Sequence, residues 1–255
     1  MDVLKKVPHR HFIFSIPKIL RRYFLYDRKL LAAISRCAWE SLKVFMQQAV
    51  PEKEPVSGAV IAVQTFGDFL GFNPHCHILL TDGCFCGTKG MFRVAPPLEL
   101  KKLEAIFRHK VFRMLLNKGK ISQEMVKMLS AWKHSGFNVF CGNRILSKDD
   151  KAMENLARYI IRASFSQERM QYLEREGTVV YTAKDKKQAR VFRQWNGWPP
   201  CVRISRIVAN RWFVTTAITA TSPGGNGNKM ARTISFPAFS NRWKTIKCYA
   251  KTGQG

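Results

Sequence analysis

Acidic residues are scarce in this chain, and beyond Asp185 there are none. Seventeen Asp and Glu face 43 Lys and Arg, a formal net charge of +26 over 255 residues. Such an excess repels itself unless a polyanion is at hand, so nucleic acid is the first partner to consider. Association with the ribosome or with an anionic membrane surface is the plainer alternative. A membrane-spanning segment is excluded, because no apolar run reaches the ~18 residues it needs. The opening MDVLKKVPHRHF has no apolar signal stretch, so a secreted product is not expected. Cys-x-x-Cys pairs are lacking too. The seven cysteines, an odd number, stand at Cys37, Cys76, Cys84, Cys86, Cys141, Cys201 and Cys248. That scatter argues against a disulfide framework or a zinc finger and for reduced thiols in the cytoplasm. Cys84 and Cys86 are the only close pair, and buried or surface thiols explain them better than a metal. No internal repeat is visible.

What is present is enough apolar material for a core. Hydrophobic residues make up 46%, with 18 Phe, so the chain folds as one domain or as one domain with an appendage. Residues 9–16 read as a strand ended by Pro17. Residues 18–49 repeat apolar positions at three- and four-residue steps, which predicts helix with a break near Asp27. Residues 59–66, AVIAVQTF, form a buried strand, and His75–Thr81 a second, closed by the turn at Asp82-Gly83. The two are close enough to pair as a hairpin. Helices follow over about 98–116 and 122–130, then a strand at Phe137–Cys141. A helix starts near Asp149, where Ser147 and Asp150 have capping-box spacing. Residues 178–182 and 189–192 predict a hairpin across the KDKK turn. The fold class is α+β, a mostly antiparallel sheet with packed helices.

Composition changes near residue 192. Residues 192–255 hold ten Lys or Arg and no acid, where ordinary usage would place several. A basic nucleic-acid-binding tail is the ordinary reading of a one-signed segment. The genetic code allows a sharper one. From Gln194, codons permitted by the sequence and read two bases out of frame spell MEWLAAMCSHIPNRGEQMVRYYGYYSN. That string has acids and a tyrosine-rich strand. The expectation is a domain over residues 1–191 followed by a tail at 192–255 that reads as a frameshifted C-terminus.

Two groups of residues can carry chemistry. The first is His75 and His77 in the segment NPHCHILL. On a strand, alternate side chains share a face, so the two imidazoles point the same way and Cys76 points into the core. Neutral imidazoles ligate divalent transition metals. Gln64 or Asp68 in the neighbouring arm is placed to give a third ligand, and Gln64, inside the strand, is preferred. Taken alone, the spacing fits a partly exposed strand face at least as well. His9 and His11 share it, but Arg10 between them resists burial behind a pair. His9 and His11 are therefore read as solvent-facing or phosphate-contacting, and His109 and His134 as structural or surface residues. The second group lies on the helix from Asp149. Met153, Leu156, Ala157, Ile160 and Ile161 share its apolar face, and Tyr159 stands roughly opposite with Lys151, Asn155, Arg158 and Arg162. A tyrosine so placed either covers surface or attacks a phosphate held by the cations.

Together these segments resemble the rolling-circle insertion-sequence transposases with an HUH nuclease core. GFNPHCHILLTDG over 71–83 is similar to the family's metal strand. NLARYIIRASFSQERM over 155–170 is similar to its tyrosine helix and following loop, and HRHFIFSIPKILR over 9–21 to the segment that opens the core. Asn155 stands where two-tyrosine members have their first tyrosine, so the chain resembles the single-tyrosine branch. The resemblance implies a ferredoxin- or RRM-like core and a Mg²⁺ or Mn²⁺ ion on His75 and His77, with Gln64 completing the set. Tyr159 would be the nucleophile, and Lys151, Asn155, Arg158 and Arg162 would contact DNA. It further implies single-stranded transposon ends as substrate and transposition through a 5′-phosphotyrosine in a bacterial cytoplasm. Members usually carry a cysteine-rich zinc-binding region ahead of the core, and this chain starts where that region would end. A truncated, inactive remnant that only holds nucleic acid is one alternative. A nuclease using water, with Tyr159 structural, is another. The oligomeric state is open.

Overall fold

The computed structural model describes residues 4, 6–67, 71–87, 90–161, 166–184, 187–193, 216–219 and 232–234. The chain divides into two units. The first is Met1–Gln64, Asn73–Arg162 and Val214–Ser235; the second is Thr65–Phe72, Ala163–Phe213 and Phe236–Gly255. In chain order the elements are β1 (His9–Ser15), α1 (Lys18–Tyr26), α2 (Leu30–Ala49), β2 (Ala59–Phe66), β3 (Phe72–Thr81), β4 (Gly83–Cys86), β5 (Met91–Val94), α3 (Leu100–Asn117), α4 (Gln123–Ser130), β6 (Asn138–Ile145), α5 (Asp150–Ile161), β7 (Met170–Leu173), β8 (Thr178–Thr182), β9 (Ala189–Arg193), β10 (Thr216–Thr219) and β11 (Arg232–Ile234). The fold is α+β with antiparallel pairing, as expected.

The first unit is built on a six-stranded sheet in the order β11-β10-β2-β3-β1-β6. β2 and β3 are neighbours, as the hairpin reading required. β1 lies antiparallel between β3 and β6, with Phe12 opposite Ile78 and Phe14 opposite Cys76. Opposed residues share a face. Phe12, Phe14, Cys76 and Ile78 are fully buried and form the apolar side. Phe107 of α3 meets Phe14 edge-on at 4.9 Å, and Phe137 packs against Phe107 and Phe112. α1 and α2 turn Leu20, Phe24, Leu30, Ile34 and Leu42 inward, each fully buried. Cys76 is the small side chain that fits behind Phe14, and burial pushes its thiol up.

The second unit has a three-stranded antiparallel sheet, β7-β8-β9. Tyr181 is buried in it with the Arg169 guanidinium 5.0 Å over its ring. β8 and β9 are the hairpin read from the sequence, and β7 was not read from it. β4 and β5 were also missed. They pair as a small separate hairpin in which a side chain at Gly83 would strike the carbonyl of Arg93. α5 is capped by Asp149, whose carboxylate accepts from the Ala152 amide at 3.0 Å, rather than by Ser147. A carboxylate two residues nearer the helix meets the exposed amides and the positive helix end directly. Within residues 192–255, the described strands β10 and β11 pair with each other, and β10 pairs with β2.

Arg10 corrects the sequence reading most sharply. It is mostly buried, because Asp82, 1% exposed, reaches it at 2.8 Å and also binds Arg144. Two guanidiniums on one carboxylate offset the cost of taking the charge out of water. Asp82→Asn should lower stability by about 2 kcal/mol, less than a fully buried pair because both arginines keep some solvent. Chemical denaturation checks this; an unchanged midpoint would contradict it.

Candidate active site

The register of β1 on β3 decides what the second face of the sheet carries. His75 lies opposite Ser15, His77 opposite Ile13, and Leu79 opposite His11. All six side chains therefore share the face turned away from the phenylalanine core. His75 and His77 sit together there as predicted, with ring centroids 4.8 Å apart. His11 joins them. Its ring stacks on His77 at 5.1 Å with planes 5° apart, and its Nε2 lies 2.9 Å from His77 Nδ1. The expectation that His9 and His11 face solvent is thus corrected: they are 4% and 7% exposed. The reason is that Arg10, which argued against burial, is neutralised by Asp82 on the opposite face.

Backbone and ring partners set the tautomers. The carbonyl of Asn73 can only accept, so His75 Nδ1, 2.7 Å away, donates to it and the ring lone pair sits on Nε2. Between His11 and His77 one ring donates and the other accepts. When His77 is the donor through Nδ1, its lone pair also sits on Nε2, the arrangement that suits a metal ligand.

The tyrosine helix lies over this same face. Tyr159 is 5.6 Å from the His77 ring and 6.3 Å from His11, edge-on to both. Its half-exposed position is on the flank of α5 rather than opposite the apolar side. Met153, Leu156 and Ile160 are partly buried, whereas Ala157 is exposed. Gln64, 2% exposed on β2, donates its side-chain amide to the carbonyl of Ile160. That carbonyl is in the last described turn of α5. Gln64 thus ties the residue after Tyr159 to the sheet that bears the histidines.

The remaining sequence-named residues are more dispersed. Lys151, Asn155 and Arg158 are exposed on α5, and Arg158 pairs with Glu154 at 2.6 Å. Such a surface pair is weak and easily exchanged for another anion. Arg162 and Asp68 lie outside the described residues. Among the described residues, no three His, Cys, Asp or Glu side chains converge as a metal-binding group. His11 is the member of this ring cluster that the sequence reading had placed toward solvent or phosphate.

Residues 58–195, more than half of the chain, match the family model described as "Putative transposase". The chain belongs to that transposase family. No curated protein and no solved structure matches it. Membership places the chain among DNA-acting enzymes of transposition. The matched range holds His75, His77, Gln64 and Tyr159, while His11 lies ahead of it. No helix of the described residues is long and apolar enough to cross a membrane.

Burial pushes His11 down to about 4 and lowers His9 in the same direction. An unfolded histidine takes its proton near the ordinary value of about 6.5. Between the two values the unfolded chain binds more protons, so stability falls as pH drops from about 6.5 toward 4. In EDTA, His11→Gln should remove part of this fall in a series of thermal melts. A wild-type and variant difference that stays constant across that range would contradict it.

Proposed function

We propose that this transposase cleaves and rejoins single-stranded DNA through a covalent link to Tyr159. The observation that carries the reading is that Tyr159 of α5 meets His77, whose ring in turn lies beside that of His75 on one sheet face. A phenol with a free pKa near 10 is a poor nucleophile at neutral pH. It becomes useful where positive charge is concentrated beside it.

The donor set suits a hard or borderline divalent ion, Mg²⁺ or Mn²⁺. His75 offers Nε2, fixed by its bond to Asn73, and His77 offers Nε2 when its Nδ1 donates to His11. Gln64, whose amide nitrogen serves Ile160, has a carbonyl oxygen as its remaining donor atom. When bound, such an ion supplies charge that polarises a phosphate oxygen. The protein's own residues do the rest. Tyr159 attacks the phosphorus in line, forming the Oη–P bond while the P–O3′ bond breaks. The phenolic proton leaves to solvent, and the departing 3′-oxygen takes up a proton. The product is a 5′-phosphotyrosine and a free 3′-hydroxyl, and reversal rejoins the strand without ATP. Arg158, by exchanging Glu154 for the phosphate, and Arg162 offset charge as it builds. Lys151 and Asn155 extend the contact along the exposed helix face, and the basic surface adds salt-sensitive affinity.

A binding-only protein is the second reading. It is favoured by the absence, among the described residues, of a third acidic, histidine or cysteine ligand. Labelled single-stranded DNA with Mn²⁺, run on a denaturing gel, separates the two. The wild type should give a covalent band, and Tyr159→Phe should lose it while binding DNA within roughly twofold, since the hydroxyl adds nothing to phosphate neutralisation. A band that survives the substitution overturns the nucleophile. Binding with neither band nor cleavage leaves the second reading. The family match ends at residue 195, close to where the acid-free stretch begins. That agreement supports the frameshift reading of residues 192–255. The gene's bases decide it, by spelling the out-of-frame string or not.

A further inference from the structure

β6 is the outer strand of the six-stranded sheet, and its register extends the histidine face outward. Phe140 lies opposite Ile13, which lies opposite His77. Asn138 lies opposite Ser15, which lies opposite His75. Opposed residues on neighbouring strands share a face, so Phe140 and Asn138 stand on the same surface as the imidazoles. Two strand spacings separate them from His77 and His75, about 10 Å. Phe140 is 50% exposed although it is a large apolar side chain in a regular strand. Its neighbours Val139 and Phe14 are buried on the other face, so the exposure belongs to this side alone. Asn138 is exposed as well. The strand is irregular beside them: the β1–β6 register shifts between Arg10 and Phe12, opposite His11. Bulges of this kind mark places where a strand edge is re-aimed.

We infer that Phe140 is a stacking platform for a base of the single strand whose phosphate lies at Tyr159, with Asn138 beside it to hydrogen-bond a base edge. This rests on the single-strand reading of the site and adds where the neighbouring nucleotide goes. Unpaired bases stack on aromatic side chains presented by a sheet, and they do so with little regard to sequence. The surface has the composition this requires. An exposed aromatic ring and an exposed amide lie on the outer strand of this face, in a protein whose net charge of +26 attracts the backbone. The apolar face of the same sheet is covered where Phe107 of α3 packs on Phe14, whereas Phe140 and Asn138 leave the outer part of the histidine face exposed.

The test uses the full chain and two probes of equal length, a thymidine oligomer and an abasic deoxyribose-phosphate chain. Both carry the same phosphates, and only one has bases. The wild type should bind the oligomer more tightly than the abasic chain. Phe140→Ala and Phe140→Leu should each weaken oligomer binding by roughly 5- to 100-fold, leave abasic binding unchanged, and remove the preference. Phe140→Trp should keep it. A 5-iodouracil oligomer should photocrosslink to the β6 peptide containing Phe140. If the wild type prefers the oligomer and both the Ala and Leu variants keep that preference, the platform is wrong while the single-strand reading stands. If Leu behaves as the wild type and only Ala loses affinity, Phe140 gives apolar contact and not stacking, which also overturns the proposal. If the wild type binds neither probe, the single-strand reading itself falls.

Discussion

The pairing of β1 with β3 is the constraint on which the site depends. One register places Phe12 and Phe14 against Ile78 and Cys76 on the buried side. The same register places His11 with His75 and His77 on the other. Because side chains alternate, a slip of β1 by one residue would turn His11 into the core and Phe12 and Phe14 toward the tyrosine helix. The cost of exposing two buried phenylalanines holds the register, at roughly 1.5–3 kcal/mol for each side chain brought out. The hydrophobic core therefore does chemical work at a distance. It selects which histidine rings pack against His77.

Two polar devices complete what the core begins. Asp82, at the end of β3, binds Arg10 and Arg144 and lets a strand with the pattern His-Arg-His lie flat in the sheet. Gln64 donates to the Ile160 carbonyl of α5 and so ties the residue after Tyr159 to the sheet that bears the imidazoles. Neither residue is itself part of the stacked ring cluster. Each gives a part-buried polar group a partner within the fold.

The sequence made part of this legible. The i, i+2 spacing of His75 and His77 gave their common face, and the apolar periodicity of α5 gave the helix and its tyrosine. Cys76 as core filling followed from the same alternation. His11 did not follow, because both faces of β1 are apolar or buried and a period of two cannot say which face meets which partner. Arg10 pointed the wrong way, since its counterion comes from 72 residues further on. The flank position of Tyr159 was also hidden. A helical projection gives angles about the axis, but not the tilt with which the helix meets the sheet. β4, β5 and β7 were too short to show a period, at four residues each.

The account stands on the claim that the phenol held against His77 is the atom that joins the DNA. The most direct measurement is mass spectrometry of the protein after reaction with single-stranded DNA and Mn²⁺, followed by nuclease trimming and proteolysis. The account predicts a nucleotide phosphate attached to Tyr159, on the peptide from α5, and on no other tyrosine. A nucleotide found on Tyr23, Tyr172 or Tyr181, or cut DNA with no modified tyrosine, would contradict it.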